Sequence, residues 1–197
     1  MKRPLSLLLV LFSLAPFLAP GASAYTFGNS QPDRAAFERA LSVFHTCAFS
    51  AEYGNTGRNY LIRWDQPIRV FASGSPTQQD LENLDAFLKA LQANVPHLPD
   101  ISRVGSESDA GIVIATDVTT QRDRNHLVQE ELVGALGLTN DHWDDKTSIL
   151  YQGWTTTQSP SPLDWQMLNF LYSPLNPSGG SMGNGGTGAQ ECPPMIR

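Results

Sequence analysis

Apolar residues recur along this chain at two spacings, and the spacing predicts the elements. From Pro32 to about Phe49, residues Ala36, Phe37, Ala40, Leu41, Phe44 and Cys47 recur at three and four, the signature of an amphipathic helix. Leu61 to Gly74 reads as a strand pair or one long strand: Ile68, Val70 and Ala72 alternate with Arg69, Phe71 and Ser73. Pro67 suits a strand start or edge, since it has no N–H to give a ladder. Thr77 to Val95 is the clearest helix, with a stripe of Leu81, Leu84, Phe87, Leu88 and Leu91 and stops at Pro96 and Pro99. Ile101 to Gly105 predicts a short strand, and the β-branched run Ala110 to Ala115 a better one. A central helix follows from about Thr120 to Leu136. Ser148 to Tyr151 is a short hydrophobic turn. Ser161 to Tyr172 is a last helix, packing through Leu163, Met167, Leu168, Phe170 and Leu171 with Asp164 in its first turn.

The two ends change the picture. Lys2 and Arg3, an apolar run from Leu5 to Leu18 and Ala22-Ser23-Ala24 predict a secretory signal peptide over residues 1–24, hence a secreted or periplasmic protein. Removing it leaves 173 residues, and because it holds two bases and no acid, the net charge moves from −6 to −8. Such an acidic chain is not expected to bind nucleic acid, and no later run is long enough to span a membrane. Residues 25–58 form an N-terminal helical segment, 59–176 the main domain, and 177–197 a Gly-rich, flexible tail. Two cysteines, Cys47 and Cys192, are left. In an oxidising compartment they could pair and tie the tail to the first helix, or Cys47 could be a buried apolar residue and Cys192 free; spacing does not choose.

The candidate chemistry lies in the central helix. His126, Glu130 and Gly134 fall at i, i+4, i+8, opposite an apolar side formed by Val128, Leu132, Ala135 and Leu136. Gly137 is a natural stop, and Asn140 and Asp141 follow where the chain turns back. This is the scaffold of the zinc-protease helix H-E-x-x-H-x-x-G-x-x-H, with Glu131 at the position of the general base. The three ligand positions, however, hold Glu130, Gly134 and Asn140. A catalytic zinc needs about three protein ligands with lone pairs at ~2.0–2.2 Å; glycine offers none, so no cofactor is expected. A shifted site built on His126 and Glu130 with Asp141 or His142 is the alternative, and would bring zinc back. Without a metal, Glu131 is a weak engine for hydrolysis and is better read as a structural carboxylate paired with backbone or with an arginine such as Arg63 or Arg69. Glu130, Asn140 and Asp141 are further expected to form a polar cluster, or simply to hold the turn. Trp143 and Trp154 are candidates for peptide or glycan binding or for core packing; Trp165 is read as core.

The order of elements resembles the metzincin zinc proteases, the matrixin branch most. Ser148-Ile149-Leu150-Tyr151 stands where that family has its Met-turn, with Leu150 in place of methionine, and Ser161-Pro162-Leu163-Asp164 through Leu171-Tyr172 resembles its closing helix. A still closer likeness is to the bacterial domain of unknown function 2927 family. Its pattern is met by Glu130-Glu131-Leu132, Leu136-Gly137-Leu138, Asn140-Asp141, Ser148-Ile149 and Leu171-Tyr172-Ser173-Pro174, over roughly residues 60–182. Gly134 departs from its usual glutamine and Leu150 from its phenylalanine. The resemblance implies an α+β fold of the zincin type, with a twisted mixed sheet, a long helix and a central helix ending in a glycine turn. The absence of histidine at positions 130, 134 and 140 favours a monomeric, non-catalytic peptidase-like module whose cleft binds a peptide or envelope protein through a sheet edge near Ala110 to Ala115. The alternative is an active hydrolase using His126, Glu130 and Glu131.

Overall fold

The computed structural model describes residues 31–49, 60–117 and 120–176. The segment expected to be a signal peptide, the turn region expected after the first helix, the Gly-rich tail and Cys192 lie outside the described residues. Four helices and three strands follow in the order α1 (Gln31–Phe49), β1 (Ile68–Ser73), α2 (Gln78–Asn94), β2 (Ile101–Arg103), β3 (Ile112–Ala115), α3 (Gln121–Ala135) and α4 (Pro162–Leu171). The fold is thus α+β in content, as the spacing predicts.

The sheet has the order β2-β1-β3, and both pairings are parallel. The expected mixed sheet is corrected on this point: among the described residues no strand runs antiparallel. β1 is central, with Ile68 opposite Ile101 and Val70 opposite Ile112. Its alternation holds, since Ile68, Val70 and Ala72 are buried while Arg69, Phe71 and Ser73 are half-buried. The strand is shorter than the sequence suggests. Residues 61–67 form no strand, because Pro67 gives no N–H and the side chains before it are committed elsewhere. Arg63 donates to the carbonyls of Leu171 and Ser173, and Trp64 to that of Ala135. The segment is a strap across the ends of α3 and α4.

Local sequence sets the helix starts. Thr77 with Asp80, and Ser161 with Asp164, form reciprocal capping boxes at α2 and α4, and Thr120 caps α3. Asp80 also joins α2 to α3 by accepting from Gln121 and Arg124. Burial opposes its charge, yet the donors from Thr77, Gln121 and Arg124 outweigh it and hold its carboxyl at about 2. On α1 the buried stripe is Ala40, Val43, Phe44, Cys47 and Ala48; Leu41, expected inside, is exposed. Phe44 and Phe37 meet Phe170 edge-on, which fixes α1 on α4. Cys47 is fully buried, and burial, then the charge of Asp141, pushes its thiol up to about 12.

The end of α3 is the tightest junction. Gly137 has φ 127°, as a glycine stop predicts. The Leu138 N–H reaches the Val133 carbonyl and the Gly137 N–H that of Gly134, the two bonds of a Schellman cap. The next two carbonyls, Ala135 and Leu136, accept from Trp64 Nε1 and the Tyr172 hydroxyl, each at 2.9 Å. Every orphan carbonyl of this terminus therefore has a partner. A Cβ at Gly137 would collide with the carbonyl oxygen of Ile62 in the strap. Gly137→Val is accordingly expected to cost roughly 3 kcal/mol or more through positive φ and the backbone clash. Gly105→Ala, where nothing lies within 4 Å, should change little. Urea unfolding of the two variants checks this, and equal midpoints would remove the turn from its central place.

Candidate functional site

The polar row of α3 does not face open solvent. The segment 151–158 runs over it, and between them lies a cleft of about 320 Å³. Its lining includes Arg122, His126 and Glu130 from α3 and Tyr151, Gln152 and Trp154 from the opposite wall. His126 joins the two walls. Its Nδ1 lies 2.9 Å from the Thr157 carbonyl and its Nε2 3.4 Å from Glu130 Oε2. Both ring nitrogens thus face acceptors, an arrangement that suits the imidazolium, which carries two donors. The hydrogen bond to Glu130, helped by the Thr157 carbonyl, raises the His126 pKa against its burial.

Glu131 stands apart from the expectation. It is exposed, and neither Arg63 nor Arg69 is its partner. The helix explains this: Val128, Gln129, Leu132 and Val133 take the buried side, and one residue's rotation carries Glu131 off it. Arg63 is drawn instead to the end of α4, and Arg69 to Ser102 and Asp100.

The three ligand positions are not brought together either. Glu130 turns to His126. Gly134 has no side chain, and a Cβ there would meet nothing within 4 Å. Asn140 is buried, and its Nδ2 donates to the carbonyls of Thr46 and Cys47 at the end of α1, with its backbone N–H on Cys47 as well. It therefore pins the turn to α1, in keeping with the expectation that Asn140 holds the chain reversal. This donor set does not fit a zinc ion. In the shifted set, His126 and Glu130 do meet, but among the described residues no three His, Cys, Asp or Glu side chains converge on a metal-sized site.

His142 lies elsewhere, 2% exposed, in a buried relay. Its Nδ1 accepts from the Asp144 N–H, so the proton sits on Nε2, 2.9 Å from Ser148 Oγ. Ser148 Oγ in turn donates to Asp164 Oδ1 at 2.5 Å and accepts from the Leu150 N–H. Asp164 Oδ2 accepts from the N–H groups of Ile149 and Ser161. The residues are those of a hydrolytic triad, but the order is imidazole, hydroxyl, carboxylate, with the hydroxyl saturated and inaccessible. Nucleophilic catalysis needs imidazole to take the hydroxyl proton, and here the carboxylate takes it. The relay instead fastens the 148–151 turn to the first turn of α4. Burial lowers the His142 pKa and keeps the ring neutral.

The tryptophans divide as their positions allow. Trp165 packs against the core beside Phe87, as read. Trp143 and Trp154 are 65% and 84% exposed, so of the two readings left open core packing does not hold for either. Trp143 stands edge-on to Tyr151, and the Arg122 guanidinium lies over Trp154.

A family model described as Protein of unknown function (DUF2927) matches residues 38–114 and 102–182, together well over half of the chain. The chain belongs to this family. No curated protein and no solved structure matches it. The DUF2927 match reaches back into α1, whereas the sequence likeness began near residue 60. α1 lacks a motif of its own, and its ties to the segment after α3 are the Asn140 bonds to Thr46 and Cys47 and those of Arg39 to Asp144 and Asp145, which no local pattern announces. Asp164 was legible as a first-turn residue of the last helix, but neither its capping box with Ser161 nor its hold on Ser148 was. Among the described residues no helix is long and apolar enough to cross a membrane.

The two histidines give the domain opposite pH responses. His126 has a raised folded pKa, so its stabilisation is present below about 6.5 and is lost as pH rises through the folded value. His142 has a lowered one, so its contribution is intact above about 6.5 and is lost as pH falls toward the folded value. His126→Gln should therefore flatten the loss of stability as pH rises above about 6.5 while leaving the acid limb. Unfolding midpoints across pH, with imidazole titration by NMR, read both; equal titration of the two rings would contradict the assignment.

Proposed function

We propose that this DUF2927 chain is a secreted or periplasmic, non-catalytic peptidase-like domain of the metzincin type, and that it takes up an extended peptide segment of an envelope partner on the open edge of its sheet. The observation that carries this reading is the position of β3. Among the described residues it pairs with β1 on one side only, and α3 packs beside it. The Thr116 N–H donates to Ser73 on β1 while Ser73 stands opposite Ala115, so alternation turns the N–H groups of Val113 and Ala115 outward. Val113, 41% exposed, shares that edge. An unpaired edge offers main-chain hydrogen bonds to an added strand, with side-chain contacts selecting the sequence.

The metzincin type is supported by the succession of parallel strands, central helix, Schellman-capped glycine turn, hydrophobic turn at Ser148 to Tyr151 and closing helix. The absence of catalysis is supported by the residues at the ligand positions. Glu130 is engaged by His126, Gly134 offers no donor and Asn140 is tied to α1. One observation favours the competing hydrolase reading: His126 and Glu130 do sit together in a cleft, with Glu131 on the next residue.

Two measurements on the mature protein decide between them. Amide exchange in the presence of an extended peptide selected from a displayed library should protect Val113 and Ala115, and Val113→Lys should abolish that protection. Elemental mass spectrometry after dialysis against trace zinc should find no stoichiometric metal. Close to one zinc per chain, lost in Glu130→Ala and accompanied by peptide hydrolysis that Glu131→Gln removes, would overturn the proposal.

A further inference from the structure

The wall of the cleft opposite α3 carries an aromatic shelf that the peptide reading does not use. Trp143 and Tyr151 meet edge to face, with ring centroids 5.6 Å apart. Both rings close over Gly153: a Cβ there would lie 2.6 Å from Tyr151 Cε1 and 3.1 Å from Trp143 Cζ3. The glycine is therefore the space in which the pair sits. Trp154 follows at once, 84% exposed, with one face taken by the Arg122 guanidinium at 5.6 Å. Trp154 lines the cleft, and Trp143 stands against the lining residue Tyr151 from outside it. Two neighbouring indoles more than half exposed cost hydration without adding to the core, and such patches mark ligand sites.

The lining behind the shelf indicates the ligand. Acids and bases balance there, with Arg122 and His126 against Asp123 and Glu130, so a charged ligand would find little net field. Apart from Leu127, the remaining groups are mostly amides and hydroxyls, among them Gln152, whose side chain forms no hydrogen bond among the described residues. Amide ends offer both donor and acceptor, as a hydroxyl does. An aliphatic side chain of a peptide would desolvate these groups without replacing their bonds. A pyranose would do neither harm: its C–H face packs on an indole and its equatorial hydroxyls meet planar polar groups. The volume of about 320 Å³ falls at the small end of the ~300–1,000 Å³ usual for ligand sites.

We infer that the cleft between α3 and residues 151–158 binds a neutral oligosaccharide, with Trp154 as the stacking platform, Trp143 and Tyr151 as its flank, and Gln152, Glu130 and Arg122 as hydroxyl partners. Binding requires Arg122 to share or yield the face of Trp154. The site is separate from the β3 edge, so it stands or falls independently of peptide uptake.

The test is a titration of intrinsic fluorescence in the full chain with linear tetrasaccharides of glucose, galactose, mannose and N-acetylglucosamine, with saturation-transfer NMR to locate the contact. At least one sugar should bind saturably and receive magnetisation through its ring C–H protons. Trp154→Ala should weaken it roughly tenfold or more, the loss of one aromatic stack, and Gln152→Ala by less. Trp154 is so exposed that its removal should leave thermal unfolding unchanged. Val113→Lys should leave sugar binding intact, which separates this site from the sheet edge. No binding by any sugar of the panel would overturn the inference. So would sugar binding indifferent to Trp154→Ala, or a Trp154-dependent affinity for unstructured peptide in place of sugar.

Discussion

The close approach of two backbones, at Gly137 and Ile62, governs the arrangement of this domain. Helix α3 must end where the strap crosses it, and only a residue without Cβ lets the two chains meet. Once they meet, the carbonyls that a helix normally leaves to water are buried. They are satisfied by groups that sequence keeps far away: Trp64 from the strap and Tyr172 from the end of α4. Each such bond contributes about 1 kcal/mol net, but leaving either carbonyl unpaired would cost more than that. The turn thus acts less as a local stop than as the place where strap, α3 and α4 are held in one geometry.

A second knot lies a few residues on. His142, Ser148 and Asp164 fix the 148–151 turn to the head of α4, and the turn in turn sets where residues 151–158 leave the core. That exit places Tyr151, Gln152 and Trp154 across from α3. The cleft wall is therefore an outcome of a buried polar relay, not of its own surface residues. A charge as buried as Asp164 is tolerated because three donors surround it.

Periodicity was enough for the helices, for the alternation of β1 and for the glycine stop, because each rests on contacts within a few residues. It did not suffice for the strap. Residues 61–66 are apolar enough to read as strand, and only the long-range demands on Arg63 and Trp64 make them something else. The same holds at the site. His126 and Glu130 were identified as a pair from i, i+4 spacing, and they meet. The sequence points Glu131 to backbone groups or to arginines, and Arg63 and Arg69 are claimed instead by the end of α4 and by β2. Asn140 was read as a turn residue, which it is, but its bond to α1 spans more than ninety residues. His142 looked like a ligand in waiting, and what places it in the core is Ser148, a neighbour of no special spacing.

The bonds from Arg63 to the carbonyls of Leu171 and Ser173 join residues 108 and 110 positions apart. Contacts of such span carry a large loop-closure entropy and form late. A chain emerging in order from the N-terminus can assemble α2 on its strands early, yet the strap has nothing to grip until α4 has been made. Until then Trp64, the end of α3 and the apolar side of α1 wait uncovered. The domain is thus completed from its last helix backward, and the interval before that helix arrives is when the unfinished chain is most exposed to aggregation.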